Sequence, residues 1–160
     1  MAENNKAEML VKLLKDRKLR ITAAESCTGG LLMSKISSVS GASNVFDGGF
    51  VTYSAEVKCR TVGVKKSTVK KYGVVSEQTA SEMANGARIA MKADVALSIT
   101  GWAGPYDGDD GQPHGTVCIG YSDGVKNKAV KYRFDGGREE VRNKAAEQAI
   151  VMALTELDNS

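Results

Sequence analysis

Met9, Leu10, Leu13 and Leu14 recur at helical spacing between charged positions, which predicts an amphipathic helix over residues 3–17. "LRITAAE" is short and apolar and predicts a buried strand ending near Glu25. A second helix is expected from a Thr28 cap through about Val39, with Leu31, Leu32 and Ile36 inward, until "SGASN" breaks it. "GGFVTYSA" reads as a second strand, "EVKCRTVGV" as a short helix ending at Gly63, and "STVKKYG" as another stopped by Gly73. Ser76 precedes "EQTASEMANGARIAMKA", a strong helix with Ser76 as its cap and Thr79, Ala80, Met83, Ala87 and Ala90 along the inner side.

"DVALSIT" is apolar enough for a central third strand. It is followed by "GWAGPYDGDDGQPHG", fifteen residues without helix or strand pattern, a loop length usually tied to function. "TVCIGYS", the turn "DG" and "KNKAVKYRF" predict a hairpin. "REEVRNKAAEQAIVMALTEL" closes the chain as a long helix with Val141, Ala145, Ile150, Val151 and Leu154 inward. Strands separated by helices, then a hairpin, predict an α/β fold: a three-layer α/β/α sandwich with a mixed β-sheet. Ligands in such folds sit beyond the C-terminal ends of strands. Three strand exits carry reactive residues here: Glu25–Gly30, Tyr53–Lys58 and Thr100–Gly115.

Composition narrows the setting. With 160 residues, 42% apolar and 26% charged, the chain is expected to form a single domain over 1–160 with one sizeable core. A net charge of +3 with no Lys/Arg run longer than two argues against nucleic acid as a partner. No run approaches the roughly 18 apolar residues of a membrane span. The charged N-terminus does not read as a signal peptide, and Cys27, Cys59 and Cys118 form no C-x-x-C pair, so a cytoplasmic, reducing location is expected. Oligomeric state is not encoded in any motif; a homodimer is the commonest arrangement for such a chain.

The reactive positions leave several chemistries open. Ser26 lies at a strand-to-helix turn, where helix-start N–H groups can stabilise an oxyanion or phosphate, and Gly29 and Gly30 allow close approach of a ligand to the backbone. Its base is either His114, the one histidine, or Lys58, if desolvation lowers the amine's pKa. Cys27 paired with His114 is the thiol alternative, although alternation of an extended segment turns Cys27 away if Ser26 faces the cleft. "DGDDG" fails as a calcium loop, because position six is Gln112 and position twelve is Cys118. Neither G-x-x-x-x-G-K-[ST] nor G-x-G-x-x-G occurs, so a phosphate would need a helix start or arginines such as Arg138 and Arg142.

"TAAESCTGGLLMSKIS", "GGFVTYSAEVKCRTVGV", "YGVVSEQTASEMANGA", "ITGWAGP" and "GTVCIG", in that order, resemble the CinA C-terminal domain family over roughly residues 5–157. The resemblance implies an amidohydrolase that converts nicotinamide mononucleotide to nicotinate mononucleotide and ammonia in pyridine nucleotide recycling, with no metal or other cofactor. It places the family's proposed nucleophile on Ser26, its tyrosine and lysine on Tyr53 and Lys58, its threonine on Thr100, and its last-helix arginine on Arg142. Substrate and oxyanion contacts are then expected from Cys27, Thr28, Gly29, Gly30, Gly101 and Gly104. The long loop departs from the family's usual pattern: Asp107 replaces a glycine, Gln112 a lysine and His114 a valine, and Trp102 stands where a small or aliphatic residue is common. The alternatives are a non-catalytic nucleotide-binding module and an amidase of different specificity.

Overall fold

The computed structural model describes residues 2–159, with side chains over residues 5–159. Five strands form one sheet: β1 (Ile21–Glu25), β2 (Phe50–Val51), β3 (Val95–Gly101), β4 (Thr116–Ser122) and β5 (Asn127–Arg133). Their order is β2-β1-β3-β4-β5. The first three run parallel, and β4 pairs antiparallel with both β3 and β5. The sheet is therefore mixed, as a helix-linked half followed by a hairpin requires.

Among the described residues six α-helices flank it: α1 (Ala2–Asp16), α2 (Leu31–Ser37), α3 (Ala55–Val62), α4 (Lys66–Tyr72), α5 (Glu77–Met91) and α6 (Arg138–Asp158). One face is covered by α1, α2 and α6, where Leu10, Leu14, Leu32 and Ile150 pack on Ile21, Leu97, Ile99 and Ile119. The other is covered by α5 with α3 and α4 outside it, where Met83, Ala87 and Val62 meet Ala24 and Ala96. Strand alternation assigns the faces: Val95, Leu97 and Ile99 join the first layer, Ala96 the second. At Gly120 the α5 layer comes so close that an added Cβ would lie 2.5 Å from the Ala80 carbonyl oxygen.

Several expectations are corrected in detail. Thr28 does not cap α2. The helix begins at Leu31, whose N–H donates to Thr28 O at 3.0 Å, and the next two N–H groups are taken by the buried Glu25 carboxylate, which accepts from Leu32 N and Met33 N at 2.9 Å and from Thr28 Oγ1 at 2.6 Å. A carboxylate beneath a helix start satisfies several orphan donors and complements the dipole, which one hydroxyl cannot do. The helix ends at Ser37, short of Val39. The second strand shrinks to Phe50–Val51, because the chain leaves the sheet to reach Ser54, whose Oγ caps α3 by accepting from Val57 N at 3.2 Å. In α1, Met9 is exposed and Ala7 and Val11 are buried; in α5, Ala90 is exposed and Ala84 is buried. Ser76 does cap α5, accepting from Thr79 N at 3.1 Å.

Candidate active site

The parallel order β2-β1-β3 sets the C-terminal ends of three adjacent strands side by side, so the three reactive exits meet. Between them lies a cavity of about 300 Å³, at the small end of ligand sites. Ser26 follows the last residue of β1 and is locked there: its N–H donates to Ile99 O at 2.9 Å, extending the ladder to β3. On the β2 side, Thr52 N donates to Glu25 O at 2.7 Å.

Lys58 comes from the inner face of α3, one turn before the buried Val62, and is 1% exposed. Its Nζ donates to Ser26 Oγ at 2.9 Å and to Thr52 O at 2.7 Å. Among the described residues no carboxylate bonds to this amine. Burial therefore dominates and pulls its pKa down to about 8. In the neutral form one N–H still serves Thr52 O, and the lone pair is left to take the Ser26 hydroxyl proton. Cys27 is different. It is buried against the α1/α2/α6 core, and desolvation pushes its thiol up to about 11, the wrong direction for a thiolate nucleophile.

The remaining predicted residues divide into two groups. Cys27, Tyr53, Thr100, Gly101 and Gly104 line the cavity with Ser26 and Lys58. Thr100 Oγ1 is engaged, donating to Val74 O at 2.8 Å and tying β3 to the segment before α5. Thr28, Gly29, Gly30 and Arg142 do not line it. Gly29 and Gly30 have φ of +57° and +110°, so these glycines serve a left-handed turn. Their N–H groups go to Ser26 O at 3.0 Å and Glu25 Oε1 at 3.2 Å, inside the turn. Arg142 reaches the same turn from α6 and holds Cys27 O at 3.0 Å and Thr28 O at 3.1 Å.

The arginine that lines the cavity is Arg138, one turn earlier on α6. It donates to Gly104 O at 2.7 Å and to the Tyr53 hydroxyl at 3.0 Å, bridging two strand exits. Trp102, Tyr106 and Asp107 of the long loop also line the cavity. Their signal in the sequence was the loop's length and composition, which mark a site without saying which residue faces it. His114 does not line it. Its ring Nδ1 lies 3.0 Å from Asp107 Oδ1, and its backbone N–H donates to the same oxygen at 2.9 Å. The loop is pinned elsewhere by Gln112 Nε2, which donates to Val75 O at 3.0 Å and Asp110 Oδ2 at 2.6 Å. Among the described residues no cluster of three or more His, Cys, Asp or Glu is arranged to hold a metal, and no helix is long and apolar enough to cross a membrane.

This constellation sits in a chain with clear relatives. The model of the CinA C-terminal domain matches residues 3–157. A CinA-like protein of Kosmotoga olearia is 45% identical over 146 residues, covering 91% of this chain and 35% of its own length. Another, of Thermotoga neapolitana, is 43% identical over 150 residues, covering 94% and 36%. The chain thus spans about a third of the length of these relatives. Among solved structures, a competence-damaged protein (CinA) superfamily protein of Klebsiella pneumoniae superposes with a TM-score of 0.96 at 32% identity, over 99% of both chains. One of Escherichia coli gives 0.92 at 35% identity, over 97% of this chain and 90% of its own. With a family model matching nearly end to end, relatives above 40% identity and a shared fold, this chain belongs to the CinA C-terminal domain family.

Proposed function

We propose that this chain is a serine–lysine amidohydrolase that hydrolyses the carboxamide of nicotinamide mononucleotide to nicotinate mononucleotide and ammonia. The observation that carries the reading is the buried Lys58 Nζ, 2.9 Å from Ser26 Oγ, with a pKa near 8. Ser26 Oγ bonds to the carboxamide carbon while its proton passes to Lys58 Nζ. Lys58 then returns that proton to the departing nitrogen as the C–N bond breaks, releasing ammonia and leaving an ester on Ser26. Water attacks the ester, Lys58 takes one of its protons and returns it to Ser26 Oγ, and the product leaves as the acid, whose remaining proton passes to ammonia or solvent as the carboxylate forms.

The developing oxyanion needs a donor. The N–H groups of Gly29 and Gly30 are spent within their own turn. Gly101 N–H lies on the edge of β3 that presents Ile99 O to Ser26, since N–H and C=O two residues apart share a strand edge, and Gly101 lines the cavity. It is the backbone donor best placed for that role. Arg138 supplies a cation for the nucleotide phosphate, whereas Arg142 is committed to the Cys27–Thr28 carbonyls.

Ammonia release and nicotinate mononucleotide formation from nicotinamide mononucleotide test the reading. The purified chain is expected to turn over. Ser26→Ala and Lys58→Ala are each expected to lose about a thousandfold or more in kcat/KM. Turnover surviving both substitutions overturns the mechanism. Calorimetric binding of the nucleotide without turnover by the unmodified chain overturns the enzyme reading in favour of a binding module.

A further inference from the structure

The mouth of the cavity is chemically unlike its floor. Lys58 and Ser26 lie at the bottom, whereas Tyr53, Trp102 and Tyr106 bring three aromatic side chains to the rim, two of them strongly exposed at 62% and 85% for Tyr53 and Tyr106. An aromatic rim by itself accepts any flat apolar group. This rim also contains a carboxylate, Asp107. Both bonds from His114 fall on Asp107 Oδ1, and among the described residues none donates to Oδ2. Those bonds, the backbone N–H first, hold the carboxyl below the usual carboxylate range, so it is charged at neutral pH.

Trp102 is held as firmly. Its indole N–H donates to Asp110 Oδ2 at 3.3 Å, and Gly108 lies against the ring so closely that an added Cβ would stand 2.3 Å from Nε1. The loop is thus built around the indole, and the glycine at 108 permits that contact. The ring's cavity side and the Asp107 charge are fixed relative to each other by the hydrogen bonds of one loop. Arg138, which also lines the cavity, is pinned between Gly104 O and Tyr53.

A neutral aromatic amide gains nothing from a carboxylate beside it and costs that carboxylate part of its hydration. A cationic ring gains from both the aromatic faces and the negative charge. We infer that Trp102, Tyr106 and Asp107 form a subsite that reads positive charge on the substrate's ring, selecting N-substituted pyridinium amides over uncharged aryl amides of the same shape. This rests on the amide-hydrolase reading for the orientation of the ligand, with the carboxamide at Ser26, the ring at the rim and the anionic substituent at Arg138.

The test is made on binding, so that it stands apart from turnover. The Ser26→Ala variant is titrated with nicotinamide mononucleotide and with its uncharged carbon-linked isostere, benzamide riboside 5′-monophosphate. The pyridinium is expected to bind about tenfold or more tightly, and Asp107→Asn or Trp102→Leu in the same background is expected to bring the two ligands within about threefold of each other. Circular dichroism and melting of each variant confirm that the loop change leaves the fold intact, and the tryptophan variant stands in should the aspartate variant not fold. Equal binding of the two ligands, binding of neither, or a preference untouched by both substitutions overturns the subsite. Turnover by the unmodified chain without a preference between the two ligands overturns the subsite and leaves the hydrolase reading standing. Preferential binding of the pyridinium without turnover does the reverse.

Discussion

At the scale of single residues, the decisive group is Lys58. It is a buried amine facing one hydroxyl and one carbonyl, with no counter-charge bonded to it among the described residues. Its folded pKa near 8 lies below the ordinary lysine value. Catalysis by the neutral amine is therefore expected to rise with pH through about 8 and level off above it; a kcat/KM profile flat from pH 6 to 9 removes Lys58 as the base. The same depression has a cost in stability. Below about pH 8 both folded and unfolded chains hold the proton, and the folded chain bears the full cost of a buried ammonium. Between about pH 8 and 10.5 the unfolded chain binds more protons, so stability gains on the order of 2–3 kcal/mol from this group. Lys58→Met is expected to abolish turnover and to remove that pH-dependent increment, measured by denaturant unfolding at pH 7 and pH 10.5. Ser26 was legible as a candidate nucleophile, beside Cys27, from its place after an apolar strand. The choice between Lys58 and His114 was not, because a partner thirty-two positions away in the chain is brought near only by the fold.

At the scale of elements, the position of Lys58 depends on how α3 seats against α5. Gly86 lies in the middle of α5, where helix propensity alone would favour alanine by about 1 kcal/mol. Its Cβ would stand 1.7 Å from the Val62 carbonyl oxygen at the end of α3. Backbone cannot yield as a side chain tip can, so packing overrides propensity. Gly86→Ala is expected to destabilise by about 2–4 kcal/mol, read by thermal or urea unfolding, and to lower kcat by shifting α3 and with it the amine. No sequence pattern announced this glycine, since it resembles any glycine tolerated in a helix. The capping of α2 was hidden for a related reason. "ESCTGG" offers Thr28 as the local cap, and only the folded turn reveals that Glu25, five residues before the Gly30 cap position, fills that role.

At the scale of the whole molecule, the sheet order gathers the site and α6 braces it. Two arginines on α6 look alike in sequence but have different partners. Arg142 holds the turn after β1, whereas Arg138 bridges the exits of β2 and β3 and faces the cavity. Arg138→Ala is expected to raise KM for the nucleotide about tenfold with a smaller change in kcat, as loss of an anion contact does. Arg142→Ala is expected to lower Tm by roughly 3–8 °C and to reduce kcat through a loosened turn. Steady-state kinetics and melting of the two variants separate these outcomes; equal effects on both readouts contradict the division of labour.

The sequence by itself determined the kinds and order of the elements, because hydrophobic periodicity and cap residues are local. It also marked Ser26 and the three strand exits, because small polar runs after apolar strands are local as well. Only the tertiary structure decided which of those residues meet. Strand order placed β1 between β2 and β3, alternation turned Cys27 into the core, and helix packing buried Lys58 against Ser26. Burial then moved the amine's pKa toward neutrality. That change comes from desolvation, a property of the three-dimensional surroundings that no spacing along a chain encodes.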